Sequence, residues 1–586
     1  VFPPHQPETN RPQALDPILG RWQENRKETG DKFKAMASRL IRSKVAIVLL
    51  AFAGAMQTAP VLAQGLEAAA IAALPAPRLV FSDDEMALAD AVSGNPGLAD
   101  FYGSNSLKPI FQGEAGAIRR HALIAAVGQA GAHGLPAQRY NPAALAEIDA
   151  KGGQGLEGEL AFARAFARWT HDMTGGLLEP TKVDPAIKRS VKRPPTGELM
   201  RQFTASADPA AYLASLAPQN RPYLALQAAL ARMSKLAAPP GTPRVPEAML
   251  RPGEVDPTVP LLRNRLAAIG FAAAPEGAQE QFDAPLASAV AAFQTEAGLP
   301  ADGIAGPRTI ARLNRGVGPE ATAILVALER MRWMQDQDLS IRHVWVNLPT
   351  FNAAIVENGE PVFSTRVVIG KADDTLETPE FTEDMKYVVV NPRWNVPRSI
   401  TIKEYLPRLK ANRNAVSHLD VVDRAGNVIP RDRIDFSRYT AANFPYRMRQ
   451  KPSDDNALGI VKFMFPNPWN IYLHDTPTKH LFNQSSRAYS HGCIRVARPV
   501  ELAHELLKGE FSNPEATFSK ALNSGRESYL TLNGHLPVHL VYFTAFPDEN
   551  GDIRRYPDIY GRDAEVQAAL AKVGLDSSLD SGARSN

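Results

Sequence analysis

The sequence predicts a multidomain α+β chain: a helical scaffold domain, a small three-helix module, and a mostly-β domain carrying a helical capping insertion. Three observations predict it. The length of 586 residues exceeds the roughly 250–300 residues that one core supports. The apolar period is helical to about residue 315 and becomes β-branched, aromatic and turn-punctuated from about 340. Proline and glycine, 48 and 40 residues, concentrate between these blocks as loops and linkers.

The chain begins with an address. Arg39, Arg42 and Lys44 precede an apolar run from Val45 to Met56, and small residues follow to Ala63. Basic, apolar, then small residues before a cut is the layout of a secretory signal. A cut after Ala63 is expected, making 1–63 an N-terminal extension with a signal peptide. The run is short for a spanning helix, which needs about 20 residues; an uncleaved inner-membrane anchor is the alternative. Residues 1–35 are polar and unlike a signal, so Met36 is the expected start. The first 63 residues hold nine Lys/Arg and five Asp/Glu, of 65 and 62 in the whole chain. Their removal takes the net charge from +3 to about −1. No basic stripe with interleaved aromatics remains, and nucleic acid is excluded as a partner.

Residues 64–79 read as an Ala/Pro linker, and 80–240 as the helical scaffold domain. Leu160–Trp169 and Tyr223–Leu230 repeat apolar residues at helical spacing. Gly153–Gly158 fits G-x-G-x-x-G but follows the helix-like Pro142–Ile148 rather than a strand, so it reads as an interhelical loop, not a dinucleotide site. A second linker at 235–249 leads to the three-helix module, 250–315. In it Asp302-Gly303 makes a tight turn and Pro307 opens the last helix.

The β-rich domain spans 340–565. Its strands are expected around Val344–Leu348, Ala354–Val356, Ser364–Ile369, Tyr387–Val390 and Asn470–Leu473. A charged, helix-like stretch interrupts it at 398–446 and reads as a lid. Residues 566–586 are expected to be a disordered tail. His504-Glu505-Leu506-Leu507-Lys508 is not H-E-x-x-H, because position 508 is lysine. No metal and no cofactor are expected.

The single cysteine, Cys493, stands in Ser490-His491-Gly492-Cys493-Ile494-Arg495, nineteen residues after His474. It has no partner within the chain for a disulfide, and export favours paired cysteines. It is therefore either a small buried residue or a nucleophile. An imidazole that takes its proton would make it a thiolate. His474 ends a predicted strand, and the polar loop 477–488 returns the chain to the same sheet edge. Gly492 permits close backbone approach. The N–H of Cys493, with that of Gly492 as a second candidate, would face a developing oxyanion. Arg495 offers a fork for a carboxylate. Reaction of Cys493 with thiol reagents well below pH 8.5 is expected on this reading.

His474 followed by Ser-His-Gly-Cys-Ile-Arg resembles the signature of the L,D-transpeptidase family of cell-wall enzymes. Asn391–Pro397, Gln450-Lys451-Pro452, Asn456–Gly459 and Lys462-Phe463 resemble flanking elements of the same family. Ser453-Asp454 departs from it, where related sequences often have glycine after the proline. Phe293-Gln294, Gly298-Leu299 and Asp302–Thr309 resemble the peptidoglycan-binding-domain family. The layout is similar to the large Gram-negative murein transpeptidases, over roughly residues 85–565.

The resemblance implies Cys493 as nucleophile and His474 as general base. A carbonyl near Asp475 would orient His474, with Ser490, His491 and Gly492 supporting the site. Tyr472 and Trp394 would line the pocket, and Arg495 would hold the site or a substrate carboxylate. It further implies a periplasmic enzyme that forms 3→3 cross-links between peptidoglycan stem peptides through a thioester, releasing D-alanine. The partners are a tetrapeptide donor, a diaminopimelate acceptor and other cell-wall synthesis proteins; carbapenems would acylate Cys493. L,D-carboxypeptidase, lipoprotein-to-wall transferase and a non-catalytic wall-binding scaffold are the alternatives.

Overall fold

The computed structural model describes residues 81–575, apart from 237, 239, 240, 315–317 and 374. The expected signal peptide, the 64–79 linker and residues 576–586 lie outside the described residues. The first described helix, Asp83–Val92, starts at a reciprocal capping box. Glu85 N–H donates to Ser82 Oγ (3.2 Å), and Ser82 N–H donates to Glu85 Oε2 (2.8 Å). Further helices follow, including Gly113–Gly128, Gly155–Met173 and Arg221–Lys235. Their apolar faces bury Phe101, Phe111, Phe162, Phe166 and Phe203 in one core. Gly155 opens its helix, so the glycine-rich stretch read as a loop is half loop and half first helical turn.

This core recruits later parts of the chain. The helix Gly318–Arg332 packs against Arg221–Lys235, and Ile324, Leu328 and Met331 join the scaffold interior. So do Phe543, Val566 and Leu570. The expectation of a disordered tail from 566 is thus corrected: Arg562–Lys572 is a helix with Val566 and Leu570 buried. Two apolar residues give little period by themselves; a distant surface supplies the partner that orders them.

The three-helix module is Val259–Ala268, Ala284–Glu296 and Pro307–Asn314. Its polar sequence phrase is a hydrogen-bond knot centred on a buried glutamine. Gln294, 2% exposed, donates to Asp302 Oδ1 (2.7 Å), Ile304 O (3.0 Å) and Thr309 Oγ1 (3.1 Å). Its Oε1 accepts from Gly303 N–H (2.9 Å).

The β domain is built on strands β1 (His343–Asn347), β2 (Asn352–Glu357), β3 (Glu360–Gly370), β4 (Phe381–Asp384) and β5 (Tyr387–Val390). Next come β6 (Trp394–Asn395), β7 (Leu419–Val422), β8 (Arg447–Gln450), β9 (Val461–Met464) and β10 (Leu473–His474). The last are β11 (Ala488–Ser490), β12 (Ile494–Val496), β13 (Ser528–Thr531) and β14 (Pro537–Val541). The main sheet runs β13-β5-β9-β10-β12-β3-β2-β1-β14-β4, with β11 paired to β3. Its inner face buries Val388, Val390, Phe463, Leu473 and Ile494 beneath Leu502, Leu506 and Phe518.

The insertion is more than helical. Helical turns between Arg398 and Ala411 lie beside a separate sheet of order β6-β8-β7. Trp394 pairs with Gln450 and Leu419 also pairs with Gln450, so the unit begins and ends outside the expected 398–446. It has its own core of Ile400, Leu406, Leu409, Leu419, Phe436, Phe444 and Met448. Among the described residues no helix is long and apolar enough to cross a membrane.

Candidate active site

Strand register assembles the site. β10 and β12 are parallel neighbours, with Leu473 opposite Ile494 and His474 opposite Arg495. Side chains alternate along a strand. Leu473 and Ile494 point into the core, both 0% exposed, so Tyr472, His474, Cys493 and Arg495 share the other face. Ile494 N–H donates to Tyr472 O (3.0 Å) and extends the pairing towards Cys493.

Each side chain is held by a specific contact. His474 Nδ1–H donates to the backbone carbonyl of Asp475, which leaves Nε2 as the basic nitrogen. The Asp475 carboxylate is occupied elsewhere: Oδ2 accepts from Ile460 N–H (3.0 Å), and Oδ1 accepts from Thr476 N–H (2.7 Å) and Lys479. The Cys493 thiol donates to Asn470 O (3.6 Å). Ser490 Oγ donates to Cys493 O and accepts from Gly492 N–H (3.2 Å). Gly492 N–H is therefore committed, and Cys493 N–H is the remaining candidate oxyanion donor. Arg495 donates to Thr478 Oγ1 (3.0 Å) rather than to a carboxylate. His491 Nε2 meets Glu404 Oε1 (2.7 Å) of the insertion, joining the thiol loop to the cap. Trp394 stacks edge-on with Tyr405, ring centroids 6.5 Å apart, and packs against the cap core.

Thr378 and Asn470 were not singled out in the sequence. Thr378 Oγ1 donates to Gly492 O (2.8 Å) and accepts from Gly370 N–H (2.9 Å). A single threonine in a loop carries no pattern. Asn470, expected to open a strand, instead contributes a carbonyl from a left-handed turn, φ 57°, and the strand is confined to Leu473–His474. Among the described residues no group of three or more His, Cys, Asp or Glu is arranged to hold a metal.

Residues 341–513 match the family model for the L,D-transpeptidase catalytic domain. The chain carries a catalytic domain of the L,D-transpeptidase family. Residues 96–230 match a scaffold domain, and 255–313 match a peptidoglycan binding domain. A Haemophilus influenzae protein provisionally named an L,D-transpeptidase is 37% identical over 235 residues. That match covers 40% of this chain and 46% of the relative, so the chain spans about half the length of the curated relative it matches. The L,D-transpeptidase structure from Xylanimonas cellulosilytica is 18% identical, with a TM-score of 0.14, over 51% of this chain and 99% of that one. The structure from Stackebrandtia nassauensis is 15% identical, with a TM-score of 0.15, over 51% and 96%.

Electrostatics in the L,D-transpeptidase domain correct one expectation. Cys493 keeps part of its surface open, yet its thiol is densely surrounded. Burial pushes its pKa up to about 11, against the pull of the Tyr472 hydrogen bonds, Arg495 and Lys462. Burial likewise pushes His474 down to about 3, and Arg495, Lys462 and Lys479 push the same way. Both directions favour a neutral thiol and a neutral imidazole on this face, not the expected thiolate with a depressed pKa.

Gly492 has φ +103°, a conformation that side chains rarely adopt. An added Cβ would stand 3.2 Å from Ile471 Cδ1 and 3.5 Å from Glu377 O. Gly492→Ala in the transpeptidase domain is expected to cost about 1–3 kcal/mol, read as a lower unfolding midpoint in thermal denaturation.

Proposed function

We propose that the protein is a peptidoglycan L,D-transpeptidase that transfers a peptidyl group through Cys493. The observation that carries this reading is one sheet face bearing both Cys493 and a His474 whose Nδ1 is fixed by Asp475 O. The peptidoglycan-binding match supports the substrate class. Cys493 Sγ attacks the carbonyl at the L-centre of the third stem residue. Its proton passes to His474 Nε2 after the thiol rotates away from Asn470 O. Cys493 N–H stabilises the oxyanion. Collapse breaks the peptide bond, and His474 protonates the departing amine of D-alanine. A diaminopimelate side-chain amine on a second stem then attacks the thioester and gives its proton to His474. The 3→3 peptide bond forms and the thiol is restored. The cap, latched to His491 through Glu404, excludes water from the thioester. Export to the periplasm, with wall-synthesis proteins as neighbours, fits this chemistry.

Muropeptides incubated with the purified chain and analysed by mass spectrometry test the proposal. The expected result is loss of D-alanine with dimer formation by wild type, and a fall of about 10³-fold or more for Cys493→Ala and His474→Ala. D-alanine loss without dimers would make water the acceptor and the enzyme an L,D-carboxypeptidase. Wild-type products from Cys493→Ala would overturn the mechanism.

A further inference from the structure

Lys462 occupies the middle of β9, between Val461 and Phe463, both 0% exposed in the core. Antiparallel register places it directly opposite His474, so it lies on the face that carries Tyr472, Cys493 and Arg495. The same transverse row continues outward through Val389 on β5 to Tyr529 on β13. Lys462 is 9% exposed. Its ammonium stands 5.8 Å from the centre of the Tyr472 ring. Among the described residues it meets no hydrogen-bond acceptor and no carboxylate at ion-pair distance. The neighbouring cations differ: Lys479 pairs with Asp475, and Arg495 donates to Thr478.

A nearly buried ammonium with a ring face as its close contact and no carboxylate at ion-pair distance is costly unless an anion completes it. Its charged form is disfavoured by burial and favoured by Glu527 and by the Cys493 sulfur. The anion must therefore arrive with a ligand, on the face where the thiol lies. β9 is two strand spacings from β12, about 10 Å, and the four-carbon stem of lysine reaches back across part of that distance. A donor peptide cut one residue from its end carries its terminal carboxylate about 3.8 Å of chain beyond the scissile residue. Of the carboxylates on such a peptide, this one belongs to the leaving group.

Resting on the peptidyl-transfer reading above, we propose that Lys462 is a specificity-determining residue whose ammonium binds the free C-terminal carboxylate of the donor peptide. It thereby selects donors that end one residue past the scissile bond. A longer stem has an uncharged amide at that place and leaves Lys462 unpaired.

The test uses the full chain, a tetrapeptide donor with a free C-terminus, the same donor as its C-terminal amide, and the variants Lys462→Met and Lys462→Arg. Lys462→Met is expected to raise KM for the free acid about tenfold or more over that for the amide, with any change in kcat shared by both donors because Lys462 also pulls on the thiol. Lys462→Arg is expected to recover most of the loss. Equal effects on KM for both donors, or a fall in kcat at constant KM, would overturn the anchor and make Lys462 a group that acts on the thiol. A second readout needs no turnover: alkylation of Cys493, in which the S–C bond forms and iodide leaves. Wild type is expected to favour iodoacetate over iodoacetamide, and Lys462→Met to lose that preference. If wild type turns over neither donor, the peptidyl-transfer reading fails while this ratio still decides: a preference lost in Lys462→Met supports a carboxylate anchor, and an unchanged ratio overturns it.

Discussion

Alkylation of Cys493 by iodoacetamide is expected to accelerate steadily with pH, with a midpoint near 11 rather than at the 8.5 or so of a free thiol. The sign follows from the protonation states. Burial raises the thiol pKa, so the proton stays on sulfur through the neutral range, and the reactive thiolate grows as pH climbs towards 11. At pH 7 about one thiol in 10⁴ is ionised, against about one in 30 for free cysteine, a difference of roughly 300-fold in rate at equal nucleophilicity. His474, pushed down to about 3, stays neutral above that range and adds no limb between pH 5 and 8. Rates measured from pH 6 to 11 check this, and a midpoint below 8 would show a preformed thiolate. Under the proposed mechanism, Cys493 would lose its proton as it attacks. In that scheme charge would separate only once a carbonyl is in place, and a neutral thiol would react slowly with stray electrophiles meanwhile.

Replacing Arg562 is expected to lower stability more than any surface change. The residue is 1% exposed and meets three carboxylates from two parts of the chain: Asp184 of the scaffold (3.3 Å), and Glu377 (2.9 Å) and Glu380 (3.3 Å) of the transpeptidase domain. It also donates to Thr378 O (2.9 Å) and lies against the Tyr560 ring, 4.7 Å from its centre. Arg330 braces the same knot, 2.7 Å from Glu380 and 3.1 Å from Asp563. Arg562→Met would leave buried acids uncompensated, a loss of about 3–5 kcal/mol. In thermal denaturation that corresponds to a fall of about 10 °C in the first transition. Arg562→Lys is expected to recover little, because a point charge cannot serve four acceptors spread around a planar fork. Activity is expected to drop as well, since Thr378 supports Gly492 O beside Cys493. A midpoint within about 2 °C of wild type would show that Arg330 holds the knot alone.

The parts of this molecule legible in the sequence are those written in contiguous residues. Helical spacing marks Leu160–Trp169, and Phe293-Gln294 with Asp302–Thr309 spells out the module's hydrogen-bond knot. The Ser490–Arg495 string marks the thiol loop. What the string hides is long-range. Trp394 and Gln450 are paired strand residues far apart in sequence, and a two-residue strand shows no alternation, so the cap reads as helical. Lys462 is visible as a charge inside an apolar strand, but its meaning depends on register with His474. The raised thiol pKa is a property of burial, which neighbouring letters do not record. The helix at Arg562 depends on acids nearly two hundred or more residues earlier.

That knot has a temporal consequence. A chain made from its N-terminus presents Asp184, Glu377 and Glu380 long before Arg562 exists. The segment behind Gly492 lacks the Arg562 brace until the helix Arg562–Lys572 packs on the scaffold. Removal of 562–572 is therefore expected to loosen the support that Thr378 gives to Gly492 O. The helix Arg562–Lys572 thus fastens the thiol loop to the scaffold through one guanidinium.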